Sequence, residues 1–164
     1  LFNHESPLRG HQFVTKKITT GLVMIKLGLL NCLELGNIDS KRDWGFAKDY
    51  VEAMYLMLQY KKPDNYVIAT GETHSVKDFI EGACIELNIN LRWDGEGLKK
   101  IGINSDNGKT IIKINPKFYR PTEVDVLLGN SKKAKRVLNW EPKTKFKDLV
   151  GKMVQYDYSK LKNK

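Results

Sequence analysis

The side chains best suited to chemistry in this chain of 164 residues fall in three short polar runs. The first, Asn3-His4-Glu5-Ser6-Pro7, follows the apolar pair Leu1-Phe2 and continues through Leu8 to Arg9 and Gly10. The second is Lys41-Arg42-Asp43-Trp44-Gly45, and the third is Tyr119-Arg120-Pro121-Thr122-Glu123-Val124-Asp125. A strand that turns abruptly polar at its end is where open α/β folds place ligand contacts. Taken alone, the first run reads equally as a polar chain end, and an isolated Lys or Arg as ordinary surface charge. Arg120 precedes a proline, which biases its backbone toward an extended conformation and constrains its reach. Its neighbour Glu123 either accepts hydrogen bonds from ligand hydroxyls or pairs with Arg120. His4 offers an imidazole, a side chain that in its unperturbed form titrates near neutrality, at about 6.5, and so suggests acid/base chemistry. Glu5 beside Ser6 is better placed to fix the loop than to act as a nucleophile. No ordered motif supports a Ser-His-Asp arrangement, and no Asp, Glu, His or Cys cluster has metal-ligand spacing. No metal ligand is therefore assigned within this chain.

Periodicity indicates the elements that must hold these runs. Apolar residues at 14, 18, 22, 25 and 29 predict a helix over Phe13 to Leu27, with Gly28 as its exit. Asn31 to Leu35 reads as a short strand, and the segment 36–40 as a loop. Asp43 is placed to cap a helix whose buried side carries Tyr50, Val51, Met54, Tyr55, Met57 and Leu58. Tyr66 to Ala69 reads as a buried strand leaving through Thr70-Gly71, and Ser75 with Asp78 as a capping box for a helix to about Leu87. Asp106-Asn107-Gly108 before Thr110 to Ile114 suggests a hairpin. Ser131 is placed to cap a helix over Lys132 to Leu138, and a last helix runs from Phe146 to about Tyr158. Alternating helices and buried strands point to an α/β chain with too few strands for a complete doubly wound sheet. No Gly-rich turn of the kind that receives a dinucleotide pyrophosphate occurs.

Composition excludes several classes. Apolar content of 41% and charged content of 29% are ordinary for a soluble globular protein. No stretch approaches the roughly 18 consecutive apolar residues of a membrane helix. Cys32 and Cys84 sit in apolar surroundings without metal-ligand spacing, which suggests buried, reduced thiols and a reducing compartment, with cytoplasm as the default. His11 and His74 read as surface residues. The net charge of +9 is concentrated after Asn130, where eleven Lys or Arg face three acidic residues. Those lysines alternate with helix-forming apolar residues, so a solvated helix surface accounts for them better than a nucleic-acid-binding face, which wants aromatics for stacking.

Together the three runs, with Phe13-Val14-Thr15, Lys17-Ile18, Leu35-Gly36-Asn37, Lys48-Asp49-Tyr50-Val51-Glu52 and Val67-Ile68-Ala69-Thr70-Gly71, resemble the C-terminal half of the GDP-mannose 4,6-dehydratase family. That family lies among the extended short-chain dehydrogenase/reductases, and the resemblance runs from Leu1 to about Asp157. It implies a partial Rossmann-like, NAD(P)-binding fold. The substrate-binding lobe is expected mainly from about 8–45 and 88–145, with the rest of the cofactor domain from about 1–7, 46–87 and 146–160. It implies GDP-mannose as substrate, with Asn3, Val14, Lys17, Leu35, Arg42, Arg120 and Glu123 as contacts. Arg42 and Arg120 would neutralise the diphosphate, which suits a guanidinium where two oxygens are bound at once. It implies NADP as cofactor, touched by His4 and Arg9, although Leu8 stands where many relatives have a second Arg. The reaction implied is an internal oxidation–reduction with loss of water that yields GDP-4-dehydro-6-deoxy-mannose for deoxyhexose synthesis, in a homo-oligomeric full-length enzyme. The family's catalytic Tyr-x-x-x-Lys pair lies upstream of Phe2, so the resemblance implies no catalytic residue within this chain, and the chain alone is expected to be inactive. The alternatives are another nucleotide-sugar epimerase or reductase, or a non-catalytic basic binding module.

Overall fold

The computed structural model describes residues 1–119 and 124–163. Its elements follow the order β1 (Asn3–Glu5), α1 (Val14–Lys26), β2 (Leu33–Leu35), β3 (Lys41–Arg42), β4 (Trp44–Phe46), α2 (Ala47–Gln59), β5 (His74–Ser75), α3 (Val76–Glu86), β6 (Leu91–Asp94), β7 (Ile101–Asn104), β8 (Thr110–Ile114), α4 (Lys132–Leu138) and α5 (Phe146–Lys162). The expected mixture of helices with parallel and antiparallel strands is present. β1 pairs parallel with β4, β3 antiparallel with β5, and the largest sheet runs β2-β8-β7-β6. In that sheet β7 and β8 form the expected hairpin around Asp106-Asn107-Gly108, while β2 joins β8 in parallel.

α1, α3 and α5 pack together over the larger sheet, and most of the core lies there. Ile18, Leu22 and Val23 of α1 meet Phe79, Ile80 and Ala83 of α3 and Leu149, Met153 and Val154 of α5, with Leu33 and Ile112 from the sheet. α1 ends as its sequence suggests. Gly28 takes φ +74, so its N–H reaches the Ile25 carbonyl and the Leu29 N–H the Met24 carbonyl, closing two otherwise orphaned acceptors. α3 opens with the expected reciprocal cap, Ser75 Oγ accepting from Asp78 N at 3.0 Å and Asp78 Oδ2 accepting from Ser75 N at 2.7 Å. A second, smaller cluster joins Tyr50 and Ala53 of α2 to Ile68, Ala134, Leu138 and Trp140.

Four expectations are corrected. Asp43 does not cap α2; Phe46 stands at that position without a side-chain cap, and Asp43 is buried one strand earlier. Helix α2 has the expected period but another phase. Tyr50 and Ala53 face inward and Met57 packs beside them, while Val51, Met54, Tyr55 and Leu58 form an exposed stripe. A helix apolar on most sides leaves its phase to be chosen by its neighbours. The segment Tyr66 to Ala69 is extended and buried at Ile68 and Ala69 but belongs to no described sheet; Phe2 N donates to Ile68 O at 2.9 Å. Ser131 precedes α4 without a side-chain cap, and Asn130 Oδ1 instead accepts from Lys132 N at 3.1 Å. Two smaller differences concern exposure: Cys32 is only half-buried, and His74 stacks on Phe146 at 3.8 Å between ring centroids.

The lysines of α4 and α5 are largely solvent-exposed, as expected of a solvated helix face. Lys133 pairs with Asp64 at 2.7 Å and Lys135 with Glu141 at 2.5 Å. No helix among the described residues is long and apolar enough to cross a membrane, and those residues hold no group of three or more potential metal ligands.

One buried ion pair ties the first helix to the last. Lys16 Nζ binds Asp157 Oδ1 and donates to Pro7 O at 2.8 Å, while Thr19 Oγ1 and Thr20 Oγ1 donate to Asp157 Oδ2 at 2.7 and 3.1 Å. Removing one member would strand the other charge in the interior. Asp157→Ala should therefore lower unfolding stability by about 3–5 kcal/mol, and the joint change of Lys16→Met with Asp157→Leu should cost clearly less; urea denaturation of the three proteins checks the order. Burial pushes the Cys84 thiol up to about 12. It should remain unlabelled by a thiol reagent at mildly alkaline pH until denaturant is added, as mass spectrometry of the labelled peptide would report.

Candidate functional site

A cleft of about 610 Å³ opens between the β1–β4 pair and the larger sheet. Its walls come from the ends of parallel strands and the first turn of a helix, the places where backbone polar groups and variable side chains face solvent. Asn3 of β1, Val14 and Lys17 of α1, Leu35 at the end of β2 and Arg42 of β3 all line it. Five residues singled out from sequence thus meet in one place. Arg120 and Glu123 lie outside the described residues. The described chain resumes at Val124, whose carbonyl accepts from Arg42 Nη1 at 2.6 Å. Two further bonds join that segment to β3: Lys41 N donates to Asp125 O at 2.7 Å and Leu127 N to Lys41 O at 3.0 Å.

Alternation along the second run explains how Arg42 is presented. In extended backbone successive side chains point to opposite faces. Arg42 and Trp44 line the cleft, and Asp43 between them is fully buried. Its Oδ1 accepts from Thr70 N at 2.8 Å and Thr70 Oγ1 at 2.7 Å, and its Oδ2 from Gly71 N at 3.0 Å and Gly129 N at 3.1 Å. Gly45, next in the run, lies against the buried ring of Tyr50; a Cβ there would come within 2.3 Å of a ring carbon. Gly36 plays a similar part at the cleft mouth, where a Cβ would meet the Phe118 carbonyl oxygen at 2.2 Å.

The cleft is electropositive, with Lys17, Arg42 and Lys117 on its walls. Lys17 Nζ lies 3.9 Å from the centre of the Phe118 ring. Partial burial lowers its pKa from 10.5, and the Glu34 carboxylate opposes that shift. Such walls suit an anionic ligand with an apolar or ring-shaped part. Sequence reasoning passed over Thr15, Phe13, Trp44, Lys117 and Phe118, which also line the cleft. Phe13, Thr15 and Trp44 stood inside the noted motifs, whereas the turn 116–118 carried no signal beyond its closeness to the third polar run.

His4 and Arg9 do not line this cleft. The His4 ring lies 5.4 Å from that of Tyr50, and its Nδ1 donates to the Phe2 carbonyl at 3.0 Å. Arg9 sits between Glu5, whose Oε2 is 3.1 Å from Nε in an ion pair without hydrogen-bond alignment, and the ring of Phe13, 3.4 Å from Cζ.

The family model described as GDP-mannose 4,6 dehydratase matches residues 1–153. The chain belongs to the GDP-mannose 4,6 dehydratase family. A relative of that name from Dictyostelium discoideum is 55% identical over 163 residues, covering 99% of this chain and 46% of its own length. The Homo sapiens relative is 51% identical over 157 residues, covering 96% of this chain and 42% of itself. The chain thus spans less than half the length of the curated relatives it matches. Among solved structures, RMD from Pseudomonas aeruginosa complexed with NADPH superposes with a TM-score of 0.77 at 19% identity, over 96% of this chain and 46% of that one. A dTDP-glucose 4,6-dehydratase from Bacillus anthracis in complex with NAD gives 0.73 at 18% identity, over 99% and 44%. At such identities these structures establish the shared α/β fold.

Because Lys17 keeps its proton less firmly than a free lysine, affinity for an anion in the cleft should fall as pH rises through a pKa below 10.5. Titration with inorganic pyrophosphate across that range should show the decline, and Lys17→Met should bind weakly throughout and flatten it.

Proposed function

We propose that this chain forms the GDP-sugar site and part of the dinucleotide-binding region of a GDP-mannose 4,6-dehydratase, a hydro-lyase that converts GDP-mannose to GDP-4-dehydro-6-deoxy-mannose with NADP. The observation that carries this reading is the convergence of Asn3, Val14, Lys17, Leu35 and Arg42 on one electropositive cleft, in a chain about half identical to relatives of that name. Arg42 and Lys17 neutralise the diphosphate, together with Arg120. Val14 and Leu35 supply apolar contact, Asn3 bonds a phosphate or sugar oxygen, and Glu123 accepts from ribose hydroxyls. The substrate-binding lobe comprises mainly about 8–45 and 88–145, and the remaining segments complete the dinucleotide-binding domain.

His4 and Arg9 fit a phosphate-bearing dinucleotide. The Arg9 side chain forms no hydrogen bond among the described residues, so its terminal nitrogens are available to an anion. The Phe2 carbonyl holds the His4 proton on Nδ1 and leaves Nε2 to accept. NADP supplies reversible hydride acceptance when bound; the residues of this chain bind and orient the two ligands. The exposed apolar stripe of α2 would pack against the part of the enzyme that this chain does not span.

Titration of the full-length protein with GDP, UDP and single-stranded DNA at two salt concentrations separates the readings. Saturable binding selective for GDP with a modest salt slope is expected. A weak interaction that collapses with salt would favour a basic binding module. Arg42→Ala should raise the GDP dissociation constant at least about tenfold, the worth of a charge-assisted hydrogen bond, with thermal melting run alongside to exclude unfolding. An unchanged constant counts against the assignment. The present chain by itself should show no turnover of GDP-mannose.

A further inference from the structure

Glu5 is a buried carboxylate, 2% exposed, that the assignments above leave without a part. Its position is unusual because a single oxygen serves both ligand regions. Oε2 accepts from Thr15 Oγ1 at 2.6 Å and faces Arg9 Nε at 3.1 Å. Thr15 lies in the first turn of α1, flanked by Val14 and Lys17 in the sugar-nucleotide cleft. Arg9 Cζ in turn lies over the ring of Phe13, the residue immediately before that turn. Glu5, Arg9, Phe13 and Thr15 therefore form a closed circuit that begins and ends on the same carboxylate.

An unpaired carboxylate at such depth is costly, and a nearby cation lowers the cost. Burial pushes the Glu5 carboxyl up from 4.5, while Thr15, Arg9 and His4, in that order, oppose the shift. The Arg9 guanidinium thus offsets part of the cost of burying Glu5, and Glu5 in turn anchors Arg9. Arg9 has long rotatable arms and a side chain 22% exposed, so without this anchor its guanidinium would sample many positions. A cation already held where the ligand needs it binds more tightly than one that must first be ordered.

We propose that Glu5 is a positioning residue: it holds the Arg9 guanidinium against Phe13, so that the dinucleotide contact and the α1 wall of the sugar-nucleotide cleft keep one fixed relation. The proposal rests on the assignment of Arg9 to the dinucleotide given above. Glu5 also lines the sugar-nucleotide cleft, and the role proposed for it is to hold Arg9.

A double-mutant cycle on the full-length protein tests it, with NADPH affinity measured by fluorescence titration in the absence of substrate. Arg9→Ala and Glu5→Gln should each raise the NADPH dissociation constant about tenfold, and the double variant should be little worse than either, because both remove one device. Thr15→Val deletes the other bond to the same oxygen; it should lower thermal stability yet leave NADPH affinity within about twofold. A purely structural role for Glu5 would instead make Glu5→Gln and Thr15→Val alike in both readouts. If Arg9→Ala weakens binding but Glu5→Gln does not, or if their effects multiply, the positioning role is overturned and the dinucleotide assignment stands. If Arg9→Ala leaves NADPH affinity unchanged, the assignment of Arg9 falls and the proposal falls with it. Should Glu5→Gln fail to fold, Phe13→Leu removes the opposite side of the Arg9 seat. Its effect should likewise fail to multiply with that of Arg9→Ala, and multiplication would overturn the proposal.

Discussion

Asp43 gathers four donors from two distant segments onto one fully buried carboxylate, and the shape of the cleft depends on that convergence. An ionised carboxylate in the interior is tolerated only when its oxygens are satisfied, and here backbone N–H groups of residues 70, 71 and 129 do most of that. Each hydrogen bond to a charged group contributes about 1.5–3 kcal/mol, so several acting on one centre make a rigid junction. The junction lies one residue from Arg42 in extended chain. Fixing Asp43 inward therefore fixes Arg42 and Trp44 outward, toward the cleft.

A comparable pairing of opposite duties governs the other wall. Lys16 turns inward to Asp157 on α5, and the next residue of the helix, Lys17, lines the cleft beside the Phe118 ring. Successive helical residues point about a quarter-turn apart, so anchoring one side chain in the core sets the direction of its neighbour. The resulting contrast is one of partners. Lys16 is neutralised by a carboxylate within the protein, whereas Lys17 faces space that a phosphate can fill. The core beneath both is continuous through α1, α3 and α5, and the first turn of α1 inherits its rigidity.

Motif glycines at 45 and 36 follow from close approach rather than from unusual backbone angles. One admits the Tyr50 ring and the other the Phe118 carbonyl, and at each a Cβ would displace a rigid neighbour. Small residues here let separate segments reach each other around the cleft, which is why they stand inside the polar runs.

Much of this was legible in the order of residues. The turn of α1 into Gly28, the Ser75–Asp78 cap and the hairpin at Gly108 are local devices whose partners lie within a few positions, so local chemistry determines them. Five of the cleft residues were also legible, through the family that their motifs resemble. What stayed hidden was decided by partners far away along the chain. Asp43 reads as a helix cap until residues 70, 71 and 129 are seen to claim it. The inward side of α2 cannot be chosen by a helix apolar on most sides until Ile68 and Trp140 are in place. Glu5 reads as a loop-fixing residue, and only the folded chain brings Thr15 and Arg9 onto one of its oxygens. Sequence determined the elements and the kinds of side chain offered to a ligand. Tertiary structure decided which of them share a carboxylate, because burial in a low-dielectric interior leaves a charge no alternative to the partners that packing provides.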